Sequence, residues 1–195
     1  MAHIGIFGGS FNPIHLGHTA LAEHIVNREL VDEVWLMVSP HNPLKPDHSL
    51  LDENERLTMA RLSVKDISGV EACDFEFHLP RPSYTYHTLQ ALQKAYPQHR
   101  FSLIIGADNW DCFDRWYKHD EILHMASIII YPRPGYSSPD VSTLPSQVQF
   151  VNAPLYPISS TEIRNALQQG LPTEKMLHPE VARYIAAHTL YNVSK

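Results

Sequence analysis

Five short apolar runs, separated by segments with helical spacing, constrain the fold of this chain more than any other feature. They are IGIF at 4–7, VWLMV at 34–38, FSLII at 101–105, SIII at 127–130 and VQFV at 148–151. Most are continuously apolar rather than alternating, the pattern of strands covered on both faces in a parallel sheet. Between them, residues 16–29, 53–64, 84–95 and 120–125 place apolar side chains at helical spacing. Strand and helix therefore alternate, and right-handed crossovers follow.

The expected fold class is α/β, a Rossmann-like, doubly wound and mostly parallel sheet. Two C-terminal helices, 159–169 and 179–188, should pack beside it; Pro179 suits a first helical turn, where its missing N–H costs nothing. A length of 195 residues lies near the usual size of one domain, so residues 1–195 are read as a single domain. The Pro-rich stretch YPRPGYSSPDVSTLP at 131–145 reads as a long surface loop after a strand, not as a boundary.

Lys and Arg total 15 against 21 Asp and Glu, a formal charge of 15 − 21 = −6 without a basic block. That balance speaks against nucleic acid and anionic membranes as partners, so any anionic ligand needs a local site. No run approaches the ~18 apolar residues of a membrane span, and MAHIGIFGGS lacks a signal-peptide pattern. A soluble, cytoplasmic protein is expected. Cys73 and Cys112 stand far apart without a C-x-x-C, and are read as buried free thiols rather than a disulfide or zinc site. Of the 13 histidines, only His15 and His18 form an informative pair.

The segment GIFGGSFNPIHLGH, 5–18, runs from a strand through Gly8, Gly9 and Ser10 into a helix starting near Leu16. Glycines let the backbone bend and bring its N–H groups close to a ligand, and the helix start favours phosphate oxygens. The spacing is neither a P-loop nor G-x-G-x-x-G. His15 and His18, three apart, would share one helical face toward the glycine loop and meet one triphosphate. Helix capping or metal binding is the competing role, but further zinc ligands do not lie nearby in the sequence.

A second constellation is ISSTEIR, 158–164, where Ser159 and Glu162 have capping-box spacing. The serines alone are explained by capping. Arg164, about one turn inside, adds a permanent positive charge near the helix start and suggests a second phosphate-binding end.

Taken in order, GGSFNPIHLGH, RPSYTYHTL (81–89), IIGADNW (104–110), Trp116-Tyr117, RPGY (133–136) and ISSTEIR resemble the T/H-x-G-H nucleotidyltransferase superfamily. Within it they resemble the bacterial nicotinate-nucleotide adenylyltransferases, with His15-Leu16-Gly17-His18 as the signature. The resemblance implies adenylyl transfer from ATP, with Mg²⁺, to nicotinate mononucleotide, releasing pyrophosphate without a covalent enzyme intermediate.

It implies further that the backbone of Gly8, Gly9, Ser10 and Phe11 cradles ATP. His15 and His18 would contact the phosphates, Ser159, Ser160 and Arg164 would complete that site, and Asp108 would hold a ribose hydroxyl. His15, His18 and Arg164 are the expected catalytic residues. On the acceptor side it implies Lys45 and Arg133 near the mononucleotide phosphate, Ser83, Tyr84, Thr85 and Tyr117 near the pyridine carboxylate, and Trp116 stacked on the ring. For Trp116 core packing, and for Lys45 a solvated loop, are competing roles.

Two departures from the family pattern stand out. Asn12 replaces a commoner Asp, keeping the capacity to cap, and SPHNPLK (39–45) matches the corresponding family loop loosely. The glycine loop and histidines also suit another adenylyl- or cytidylyltransferase, with nicotinamide mononucleotide or phosphopantetheine as acceptor. A nucleotide-binding protein without turnover could share the fold. RPSYTYHTL and Trp116-Tyr117 favour the nicotinate acceptor, and the two histidines with Arg164 favour catalysis.

Overall fold

The computed structural model describes residues 1–40 and 50–192. Within them a six-stranded sheet contains β1 (His3–Gly9), β2 (Glu33–Val38), β3 (Val70–Cys73), β4 (Arg100–Gly106), β5 (Ser127–Tyr131) and β6 (Val148–Phe150). The spatial order is β3-β2-β1-β4-β5-β6, and every neighbouring pair is parallel. This is the doubly wound order, whose reversal between β1 and β4 opens a crevice at the carboxyl ends of the strands.

Both faces of the sheet are covered, which accounts for the continuous apolar runs. Val34, Leu36 and Val38 of β2 join one cluster, whereas Trp35 and Met37 belong to the other. The first cluster draws on α1 (Leu16–Asn27), α2 (Glu53–Val64), α6 (Ser160–Gln168) and α7 (Pro179–Ala187). The second draws on α3 (Thr85–Ala95) and α5 (His119–Met125), while the short α4 (Ala107–Trp110) follows β4 directly. The two C-terminal helices therefore complete the layer begun by α1 and α2.

Strand β3 is absent from the sequence reading. Its residues Val-Glu-Ala-Cys include only one buried side chain, Val70. The strand exists because β2 offers its backbone at the sheet edge, a contact that leaves little hydrophobic signal. Smaller differences lie at helix ends: α1 stops at Asn27 because Glu29 takes a left-handed φ of 54°, and α3 begins at Thr85 after Tyr84 as N-cap. The 131–145 loop contains one short 3₁₀ turn, Val141–Thr143. Cys73 and Cys112 are free, as expected, but half-buried rather than fully enclosed.

The loops at the crevice are tied together by Arg56, a fully buried side chain on α2. Its guanidinium donates to the carbonyls of Leu51 (2.9 Å), Ser10 (2.6 Å), Ser39 (2.7 Å) and Pro40 (3.0 Å). A planar, five-donor group suits this task, because the carbonyls approach from separate segments and all need a donor away from water. Arg56→Met should therefore lower stability by roughly 2–4 kcal/mol in urea denaturation, the cost of leaving several buried acceptors without donors. A loss below about 0.5 kcal/mol, typical of a surface substitution, would contradict this assignment.

Candidate active site

At the crevice, β1 gives way to the glycine loop. A Cβ on Gly8 would meet nothing within 4 Å and would occupy space open to a ligand, whereas one on Gly9 would stand 3.0 Å from the Phe11 ring. Phe11 adopts a φ of 45° and turns its ring into the core, edge-on to Phe7 at 5.8 Å and His18 at 5.1 Å between centroids.

His15 is the N-cap of α1, in extended backbone with a φ of −144°, and His18 is the third residue of the helix. The pair thus does not share a helical face in the expected way, yet the rings stack, 3.6 Å apart and inclined by 25°. The His15 backbone N–H donates to His18 Nδ1 at 3.2 Å, so the neutral His18 ring carries its proton on Nε2. His15 is 5% exposed, and burial pulls its pKa down to about 4; the positive charge of Arg133 adds to the effect and Glu162 opposes it. At neutral pH the His15 ring is therefore uncharged. Asn12 does not cap α1; its Oδ1 accepts from the Tyr191 hydroxyl at 2.8 Å and the Leu51 N–H at 3.4 Å.

The start of α6 is docked against the same loop. Ser159 and Glu162 form the capping box, with Glu162 N–H donating to Ser159 Oγ at 3.2 Å and Ser159 N–H to Glu162 Oε2 at 3.0 Å. Ser160 Oγ donates to the Pro13 carbonyl at 2.9 Å, and an Arg164 N–H to the Asn12 carbonyl at 2.8 Å. Two helix starts are thereby fixed beside each other, each presenting a positive end.

A cavity of about 700 Å³ spans this crevice. All the expected site residues line it except Lys45, which lies outside the described residues. Among the described residues, His15 Nδ1, Glu76 Oε2, Ser83 Oγ, Asp108 Oδ1 and Trp116 Nε1 are buried side-chain atoms without a hydrogen-bond partner. Each belongs to a residue of that one lining. Polar atoms buried without partners are costly, and their concentration around a single cavity marks it as a ligand site. Among the described residues no group of three or more His, Cys, Asp or Glu could hold a metal ion, and no helix is long and apolar enough to cross a membrane.

The pattern of the cytidylyltransferase-like family matches residues 6–166. Over 185 residues the chain is 49% identical to the probable nicotinate-nucleotide adenylyltransferase of Bacteroides fragilis, covering 95% of this chain and 92% of that protein. The probable nicotinate-nucleotide adenylyltransferase of Bacteroides thetaiotaomicron is 46% identical over 190 residues, covering 97% and 94%. The chain belongs to the nicotinate-nucleotide adenylyltransferase family. Its fold is also that of the Plasmodium falciparum nicotinic acid mononucleotide adenylyltransferase solved with NaAD, with a TM-score of 0.85, 24% identity and coverage of 100% and 99%.

The cavity lining also includes residues that the sequence motifs do not single out. Gly106, at the end of β4, leaves no room for a Cβ while Asp108 and Arg133 keep their places: it would fall 2.3 Å from Asp108 Oδ1 and 2.7 Å from Arg133 Cγ, and these side chains would have to shift. The segment IIGADNW contains it, but only the fold shows what crowds it. Glu76, in a stretch without a local signature, and Thr88, inside RPSYTYHTL, also line the cavity and are hydrogen-bonded to each other. Arg133, expected near the acceptor phosphate, has its Nε 3.4 Å from Asp108 Oδ1 and acts electrostatically on His15, so it stands among the residues expected to serve ATP.

Across the cavity, Ser83, Tyr84 and Thr85 lead into α3. Trp116 packs on Phe113 at 5.4 Å between centroids, and Tyr117 lies against Tyr84 at 5.2 Å and His87 at 5.6 Å. Core packing and cavity lining are thus combined in Trp116.

The depressed His15 pKa has a measurable consequence. The unfolded chain takes up this proton near pH 6.5 but the native protein only near 4, so the stabilisation is complete above pH 6.5 and lost as pH falls through 4. Between pH 7 and pH 4 the wild-type protein should lose about 3 kcal/mol more than His15→Gln in urea denaturation, from a shift of about 2.5 pH units. Parallel stability profiles for the two proteins would contradict a buried neutral His15.

Proposed function

We propose that this chain transfers the adenylyl group of ATP to nicotinate mononucleotide, giving nicotinate adenine dinucleotide and pyrophosphate, a step of NAD biosynthesis. One observation carries the reading: a single cavity joins the two clipped helix starts with the aromatic segment around Ser83 to Thr85 and Trp116. Because that lining draws on residues from Ile6 to Arg164, we read the chain as one functional domain.

In the reaction, a phosphate oxygen of the mononucleotide attacks the α-phosphorus of ATP in line with the departing pyrophosphate. Negative charge grows on the equatorial α-phosphate oxygens and on the leaving group, while no side chain needs to act as nucleophile. Glycine-loop N–H groups, His18 Nε2–H and the starts of α1 and α6 are suited to that charge. His15, neutral and stacked on His18, fixes that ring and contributes a polar edge rather than a second cation. Arg164 donates from one terminal nitrogen to the Asn12 carbonyl and from the other to Thr161 Oγ1 at 3.3 Å, which fixes its fork at the α6 start and leaves further N–H groups for a phosphate. Asp108 offers an acceptor to a ribose hydroxyl, and Arg133 balances its charge.

Mg²⁺ would enter with ATP, as this ion commonly accompanies nucleotides, and would need no cluster of protein ligands. It would lower the charge on the triphosphate that the helix starts receive. A cytoplasmic location, where ATP is made available, accompanies this reading.

Pure, folded protein with ATP, Mg²⁺ and nicotinate mononucleotide should release pyrophosphate and form the dinucleotide; absence of both products sinks the proposal. His18→Ala should lower turnover by about 10²–10³-fold, the effect of removing one donor to developing charge. Arg164→Lys should also impair turnover, because lysine keeps the charge but lacks the fork that holds the Asn12 carbonyl and phosphate together. Full activity in the lysine variant would mean that charge alone matters.

The acid should be preferred over the amide. A carboxylate accepts hydrogen bonds at both oxygens, whereas the amide NH₂ would face the donors at the start of α3. A buried mismatch of this kind costs ~1–3 kcal/mol, so kcat/KM for nicotinate mononucleotide should exceed that for nicotinamide mononucleotide by roughly tenfold to a hundredfold. Equal values would remove the acid assignment and leave adenylyl transfer standing.

A further inference from the structure

Glu76 has no part in the phosphate chemistry above, yet it is 6% exposed and lines the cavity. It sits on the 3₁₀ turn Phe75–His78 that follows β3. Its Oε1 accepts from Thr88 Oγ1 at 2.8 Å, and the same hydroxyl lies 3.4 Å from the Tyr84 carbonyl. The carboxyl group is thereby fixed to Thr88, at the end of the first turn of α3. Its Oε2 has no hydrogen-bond partner.

No cation compensates this group among the described residues. Burial pushes the Glu76 carboxyl up, opposed only by the hydroxyls of Thr88 and Ser39. The other acid of the lining, Asp108, has Arg133 beside it. A buried carboxyl without a cation takes up a proton more readily, and a ligand that brings a positive charge beside it favours the ionised form.

The acceptor named above supplies it. A pyridine joined to ribose through its ring nitrogen carries a permanent positive charge, and the nicotinate carboxylate adds a negative one on the same ring. Such a zwitterionic base needs a pocket with two poles. The start of α3 and the Ser83 hydroxyl, whose Oγ is buried without a partner, suit the carboxylate. We propose that Glu76 is the opposite pole, a binding residue whose negative charge complements the pyridinium ring of the acceptor mononucleotide. This inference rests on the functional reading above and deepens it: the site selects a cationic ring in addition to a carboxylate. Trp116, whose aromatic face also attracts cations, acts in the same direction.

The test compares kcat/KM at saturating ATP and Mg²⁺ for wild type and Glu76→Gln with three acceptors. These are nicotinate mononucleotide, its amide, and the benzoate C-riboside 5′-phosphate, which keeps the carboxylate on a neutral carbon ring. Wild type should prefer the pyridinium acid over its carbon-ring analogue by roughly tenfold to a hundredfold, the range expected for one charge a few ångströms away in a partly screened site. Glu76→Gln should shrink that preference by about tenfold while leaving the acid-to-amide ratio within about twofold, because both pyridine nucleotides carry the ring charge. Each ratio is taken within one preparation, so a partly unfolded fraction cancels.

An undiminished ring preference in Glu76→Gln overturns the inference. So does a shift in the acid-to-amide ratio with the ring preference intact, since Glu76 would then act on the substrate carboxylate. Should the glutamine variant fail to fold, Glu76→Asp carries the test: withdrawing the charge by one methylene must lower the ring preference, and an unchanged value overturns the proposal. Failure of wild type to use nicotinate mononucleotide removes the functional reading and this inference with it, whereas normal turnover with an unchanged preference removes the inference alone.

Discussion

The guanidinium of Arg56 holds the site together. Its four carbonyl partners come from the glycine loop, the end of β2 and the approach to α2, three segments with no regular secondary structure to pair them. A loop that must present its N–H groups to an anionic ligand leaves its carbonyls pointing the other way, into protein. Arg56 receives them there. The buried cation thus fixes the back of a surface whose front is the cavity.

The same division recurs at α6. Ser160 and Arg164 satisfy the carbonyls of Pro13 and Asn12, and Tyr191 near the C-terminus satisfies the Asn12 side chain. Backbone acceptors on the far side of the loop are occupied by side chains from distant parts of the sequence. The donors proposed to receive the phosphates are therefore held in place by the fold itself, which is what electrostatic stabilisation of a transition state requires. A neutral, buried His15 fits this arrangement: with the local positive charge already supplied by helix ends and arginines, an imidazolium at this position would meet desolvation and repulsion from Arg133.

Much of this was legible in the sequence because it depends on local pattern. Continuous apolar runs imply a sheet covered on both faces, and Ser159 with Glu162 gives a capping box that forms as the spacing suggests. Strand β3 was not legible, since an edge strand with one buried residue has no hydrophobic period. Nor was the departure of His15 from the helix: three-residue spacing fits two helical residues as well as an N-cap and the residue three beyond it. The pairing of Arg133 with Asp108, and the burial of Glu76 against Thr88, join residues 25 and 12 positions apart, which no local pattern encodes.

The sequence by itself determined the α/β alternation, the glycine loop leading into a helix, and the residue types offered to phosphate and to an aromatic ring, because each depends on contacts within a few residues. Only the tertiary structure decided which charges survive burial and which groups face one another. Burial holds His15 neutral, the fold sets Arg133 beside Asp108, and no cation among the described residues stands at Glu76. The physical reason is that desolvation and Coulomb interactions depend on distance in space, and folding brings residues from Ile6 to Arg164 around one cavity.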